Sequence, residues 1–290
     1  MFESFQSSHA VLNDINIPYV KAGSGPTMLL LHGYPQTHVM WHKIAPRLAE
    51  HFTVVASDLR GYGDASKPLT TADHTPYSKR AMAQDQVLLM ESLGFEQFYL
   101  VGHDRGGRVA HRLALDHPDR VKKLAVLDIA PTYAMYTNTD MEFAKAYYHW
   151  FFLIQPFDLP ERLIGADPVF YLNRKFGQWG RDSAAFTPEA RAEYVRCFTP
   201  ETIHASCEDY RASASIDITH DQLDLDAGRR LSCAVLALWG EKGFVGHKYD
   251  VLAEWRKWAD EVHGMALPCG HYLPEEAPEA TLQALLNFFL

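Results

Sequence analysis

Asp104 stands at the centre of a G-x-D-x-G run, Gly102-His103-Asp104-Arg105-Gly106. An apolar stretch over 98–101 precedes it and a helical pattern carrying Val109 and Leu113 follows, so the run reads as strand, sharp turn and helix. Small neighbours permit a strained turn that presents the central side chain to solvent or ligand. A carboxylate there can displace a leaving group from a saturated carbon and become an ester, whose carbonyl water can attack. A hydroxyl would instead leave an inert ether. The water needs a general base, and His271 in Pro268-Cys269-Gly270-His271-Tyr272-Leu273-Pro274, between the last strand and the last helix, sits where one is required. Asp128, near the carboxyl end of a buried strand pattern over 123–129, is the acid chosen to orient it. Glu241, after the strand at 234–239, is the other acid considered.

Arg105 and Arg108 lie at i and i+3 at the start of the helix after Asp104. That spacing lets two guanidinium groups converge beside the nucleophile as a fork for a carboxylate. Positive charge there keeps Asp104 ionised and offsets its repulsion of an anionic substrate.

Strands and helices alternate over most of the chain, as in a mostly parallel sheet flanked by helices on both faces, the α/β class. Residues 9–22 read as a hairpin, 27–31 as a strand, 41–50 as a helix and 52–57 as a strand. An amphipathic helix follows over 79–93, ahead of the turn at Asp104. The strand at 27–31 ends in His32-Gly33-Tyr34-Pro35, whose backbone N–H groups can face the site above the sheet. Asp58 and Arg60 read as turn-fixing residues. From 132 to 217 the alternation stops, and an aromatic-rich span with Tyr147, Tyr148, His149, Trp150, Phe151 and Phe152 reads as a helical cap inserted into a core of 1–131 and 218–290. The core resumes with strands at 234–239 and 262–267 and helices at 249–258 and 278–289.

With 290 residues, 47% hydrophobic and 22% charged, the composition is that of an ordinary globular protein. A net charge of −9 disfavours nucleic acid and anionic membrane surfaces as partners. The N-terminus lacks a basic region followed by an apolar core, so no secretion signal is expected. Four cysteines without C-x-x-C spacing suggest a reducing cytoplasm rather than a zinc site or disulfide framework. His38 and His42 stand at i, i+4 without a third ligand and read as a surface pair. No metal site and no cofactor is expected.

The G-x-D-x-G turn and the order Asp104, Asp128, His271 match the α/β-hydrolase arrangement of nucleophile, acid and histidine. More specifically, G-H-D-R-G-G-R-V-A-H-R, L-D-I-A-P-T and His149-Trp150 resemble the fluoroacetate dehalogenases, a branch of the haloacetate dehalogenases, and the resemblance spans the chain. Arg105 and Arg108 are its most diagnostic residues, because related haloalkane dehalogenases and epoxide hydrolases usually carry Trp after the nucleophile. The resemblance implies hydrolytic dehalogenation of a small haloacetate through an ester on Asp104. It also implies a halide pocket of His149, Trp150 and a cap tyrosine, for which Tyr210 fits best and Tyr147 and Tyr148 compete. The oxyanion hole would come from the Tyr34 and Arg105 backbone N–H groups, and the assembly would be a homodimer. The alternatives are an epoxide hydrolase with the same Asp, His and Asp, and a catalytically silent binding protein on this fold.

Overall fold

A computed structural model describes residues 1–290, the Ser183 side chain excepted. Its strands are β1 (Gln6–Leu12), β2 (Ile15–Ala22), β3 (Thr27–Leu31), β4 (Thr53–Ser57), β5 (Phe98–His103), β6 (Val121–Leu127), β7 (Ala234–Gly240) and β8 (Val262–Leu267). They make one sheet in the order β1-β2-β4-β3-β5-β6-β7-β8. The first two pairings along that order are antiparallel and all the others are parallel. Met28, Leu29, Leu30 and Leu31 are fully enclosed. A central parallel strand is covered on both faces, so its sequence is continuously apolar rather than alternating.

The hairpin begins earlier than the sequence pattern implies, at Gln6, and turns through Asn13 and Asp14 with φ of 48° and 66°. The helix expected over 41–50 is instead a 3₁₀ turn, His38–Trp41, and a short helix, Ala45–Leu48. Pro46 has no amide to donate and is tolerated only in a first turn, which breaks the longer pattern. Similarly, the helix expected over 249–258 is the shorter Val251–Arg256, preceded by a separate helix, Phe244–Lys248.

After β5 the chain enters the helix Arg105–Asp116, whose residues from Arg105 to Leu115 are all buried. Between β6 and β7 it runs through helices from Thr132 to Asp226, including His149–Phe152, Pro168–Trp179 and Pro200–Ala212. No helix among the described residues is long and apolar enough to cross a membrane.

Candidate active site

Asp104 has φ 47° and ψ −115°, a conformation that costs a non-glycine residue about 1–3 kcal/mol and survives only where its surroundings enforce it. Glycines make the enforcement possible. A Cβ at Gly106 would lie 2.3 Å from the His32 carbonyl oxygen, and one at Gly33 would lie 2.5 Å from the Asp104 Cβ. The elbow and the His32-Gly33-Tyr34 turn therefore press together, and the Tyr34 amide donates to Asp104 Oδ1 at 2.9 Å. The Arg105 amide makes no bond to this carboxylate, so of the two backbone donors expected only Tyr34 is engaged.

His271 lies beside the other oxygen, with Nε2 4.0 Å from Asp104 Oδ2. That gap is too long for a hydrogen bond and leaves Oδ2 free. The ring's far nitrogen, Nδ1, donates to Asp128 Oδ2 at 2.6 Å, and the Gly240 amide donates to Asp128 Oδ1 at 2.9 Å. Asp128 follows directly on β6 with φ 52°, a second strained turn that aims a carboxylate across the strand ends. Burial works against a charge on His271, yet the bond to Asp128 and the Asp128 and Asp104 carboxylates outweigh it, so its pKa is raised. Burial also opposes ionisation of Asp104, but His271, His103, Arg108 and Arg105 together hold its pKa below the usual carboxylate value.

His103 carries no role in the sequence reading, although it directly precedes Asp104. Its Nε2 bonds the His271 carbonyl at 2.8 Å and its ring centroid is 4.6 Å from that of His271, so it pins the loop that carries His271. Burial, then the neighbouring His271, push its pKa down to about 3, which keeps it a neutral donor.

Both arginines are buried beside Asp104, but neither is idle. Arg105 donates from Nε to Asp209 Oδ2 at 2.9 Å and from Nη2 to Asp209 Oδ1 at 2.6 Å, and Nη2 also reaches Ser213 Oγ. Arg108 donates from Nη1 to the Ala130 carbonyl and Thr132 Oγ1 at 3.1 and 3.0 Å. One nitrogen of each stays buried without a partner, Nη1 of Arg105 and Nε of Arg108. The fork is thus two single donors rather than two open guanidinium faces. Asp209, which anchors it, was not singled out from sequence. The sign available there was the Glu208-Asp209-Tyr210-Arg211 cluster, whose acids could belong to any neighbour.

His149, Trp150 and Tyr210 come together: Tyr210 lies 5.6 Å from His149 and 6.3 Å from Trp150 between ring centroids. The Arg105 guanidinium covers the Tyr210 ring at 4.1 Å and that of Arg108 covers Trp150 at 4.7 Å. Tyr210 Oη and His149 Nδ1 are buried without partners. Tyr147 also borders the cavity, whereas Tyr148 is 38% exposed. This cavity, about 10 Å³ between Asp104, Tyr147, His149, Trp150, Trp179 and His271, matches one water-sized centre. Trp179, unassigned from sequence, closes one side, 4.5 Å from His149 and 5.6 Å from His271. A wider cleft of about 360 Å³, lined by Arg181 and Lys242 among others, shares Tyr147, Trp179 and His271 with the cavity.

The other residues weighed from sequence serve structure. Asp58 accepts from the His38 backbone amide and ring Nδ1, each at 2.8 Å, and Arg60 donates to Asp85.

Several known proteins are similar to this chain. The alpha/beta hydrolase fold family model matches residues 26–278. A fluoroacetate dehalogenase from Burkholderia sp is 48% identical over 291 residues, 99% of this chain and 95% of its own. A soluble epoxide hydrolase from Corynebacterium sp. (strain C12) is 36% identical over 285 residues, 97% of this chain and 96% of its own. A solved alpha/beta hydrolase structure from Nostoc sp PCC 7120 superposes with a TM-score of 0.98 at 65% identity, over 99% of both chains. This chain belongs to the alpha/beta hydrolase family and is a homologue of fluoroacetate dehalogenase.

Proposed function

We propose that this protein hydrolyses the carbon–halogen bond of haloacetates, fluoroacetate and chloroacetate among them, to glycolate and halide. The observation that carries this reading is the pair of buried arginines beside a carboxylate nucleophile, each keeping one unpartnered nitrogen. Those nitrogens hold the substrate carboxylate. Asp104 Oδ2 attacks the halogen-bearing carbon, and the halide leaves with the bonding pair toward His149, Trp150 and Tyr210 as the ester forms. N–H and O–H donors there answer the high charge density of fluoride.

His271 Nε2, oriented by Asp128, then takes a proton from water, which adds to the ester carbonyl while the Tyr34 amide, and in this reaction that of Arg105, stabilise the oxyanion. Collapse expels glycolate, which takes the proton back from His271, and the carboxylic acid left on Asp104 then loses water's second proton to solvent, which restores the carboxylate. Residues 132–217 act as a cap over a core of 1–131 and 218–290. By the same resemblance the protein works as a cytoplasmic homodimer, in keeping with four free cysteines.

The 36% identity to an epoxide hydrolase, together with Tyr147 and Tyr210 near Asp104, favours a second reading in which a tyrosine protonates an epoxide oxygen. Fluoroacetate, chloroacetate and a neutral epoxide, incubated in parallel with purified protein, separate the two. Halide release without diol supports the dehalogenase, and diol without halide replaces it.

A further inference from the structure

Lys175 is fully buried in the helix Pro168–Trp179, and its Nζ has no hydrogen-bond partner. No carboxylate among the described residues lies within 4.0 Å of it. A lysine in that position is rare, because burying an ammonium without a counter-charge is costly. Only aromatic faces surround it: Nζ lies 4.0 Å from the Tyr148 centroid, 4.8 Å from Trp179 and 5.0 Å from Tyr171, which compensates only in part.

This cage adjoins the reaction cavity. Trp179, one turn beyond Lys175, lines the cavity and packs on His149, and Tyr148 precedes His149 in the chain. Trp179 Nε1 and His149 Nδ1 are also buried without partners, on two cavity-lining rings whose centroids are 4.5 Å apart. The groups that face Lys175 are Tyr148, Tyr171, Trp179, His149 and the cationic Arg174, and none is anionic at neutral pH.

Resting on the dehalogenase reading, we infer that Lys175 supplies the positive charge that steadies the departing halide, and so helps to decide whether fluoride can leave. Fluoride concentrates its charge most and leaves least readily, so it gains most from a cation in a dry, low-dielectric wall. Burial, then Arg174, push the Lys175 amine down to about 7, so an arriving anion meets a group poised to charge.

Bromide binding to purified wild-type, Lys175→Met and Lys175→Arg proteins, followed by tryptophan fluorescence from pH 6 to pH 9, tests the site without turnover. At pH 6 the methionine variant should bind about tenfold more weakly than wild type, and by pH 9 that gap should close as the wild-type amine loses its proton. The arginine variant should keep its affinity at pH 9, and it decides the matter if the methionine variant does not fold. In turnover, Lys175→Met should lose about tenfold or more in kcat/KM with fluoroacetate, and about threefold or less with chloroacetate. Bromide affinity identical in all three proteins, or equal losses with both substrates, would overturn the role of Lys175. If wild type releases no halide from either acid, the dehalogenase reading fails, while the bromide series still decides whether Lys175 serves an anion.

Discussion

Splitting the two oxygens of Asp104 between a backbone donor and a histidine assigns them different work. Oδ1 rests on the Tyr34 amide, where charge will develop when the ester is attacked, and Oδ2 is left to form the bond. In the proposed reaction His271 acts only in the second half. Replacing it, as His271→Gln, should therefore permit one halide per site and then stop, leaving Asp104 modified by one carboxymethyl group that intact-protein mass spectrometry detects. Release of halide at a steady rate by that variant would show that another base serves. Because Asp128 and its companions raise the His271 pKa despite burial, protonation removes the base at a higher pH than an ordinary histidine would. The kcat of wild type should fall as pH drops through that raised value. By contrast, kcat/KM, which ends at the halide-releasing step, should be less affected on the acid side.

The helix Arg105–Asp116 does more than follow the nucleophile. Arg105, Arg108 and Arg112 fall at i, i+3 and i+7, one stripe, and each reaches toward the segment that follows β6. Arg105 meets Asp209, Arg108 meets Thr132, and Arg112 meets Asp221 at 2.7 Å and Asp224 at 2.5 Å. Asp209 also pairs with Lys79 and accepts from Tyr62, while Asp217 reaches Lys79 at 3.5 Å, so Asp209 is the carboxylate that Arg105 depends on and one of two that serve Lys79. Asp209→Asn should cost about 3–5 kcal/mol in a denaturant titration by leaving uncompensated charge. In the folded fraction it should raise KM more than it lowers kcat, since Arg105 loses its aim.

A second junction joins three elements at Glu275, just beyond the His271 loop. Gln36 and Tyr194 donate to its carboxylate, and burial pushes its pKa up to about 8 in spite of those bonds. Between the unfolded value near 4.5 and about 8 the unfolded chain gives up this proton while the folded one keeps it, so stability declines as pH rises across that window. Glu275→Gln removes the titration. The variant should melt about 3 °C above wild type at pH 8, with the difference vanishing near pH 5.

A net charge of −9 would repel the proposed carboxylate substrate at long range, and the cleft beside Tyr147 and Trp179, though it also holds Glu241, carries Arg181 and Lys242. Among the described residues neither side chain forms a salt bridge, the Arg181 Nε donating instead to the Lys242 carbonyl at 3.0 Å, so their field is available to steer an anion. An Arg181→Gln, Lys242→Gln double variant should lose about threefold in kcat/KM with haloacetate at low ionic strength and keep its kcat, with the loss fading by about 0.15 M salt as the Debye length shortens. Unchanged kcat/KM at low salt would remove the cleft as the approach path.

The sequence by itself determined the α/β architecture, since the apolar runs at 28–31 in β3, 98–101 in β5 and 124–127 in β6 are satisfied in a sheet covered on both faces. It also carried the strained turn at Asp104, because the small residues around it answer to a local backbone need. Asp128 and His271 were legible for a related reason: ligand sites in such sheets gather at the carboxyl ends of strands. Tertiary structure alone decided the rest. Asp209 lies 104 residues from Arg105, and Glu275 lies 239 residues from Gln36. Which acid meets which cation depends on how 132–226 packs over the sheet, and residue types carry no record of that distance. The same holds for Lys175, whose position in the chain looks like any exposed helical lysine. Only packing turns it inward, away from water and from every carboxylate, and makes its charge consequential.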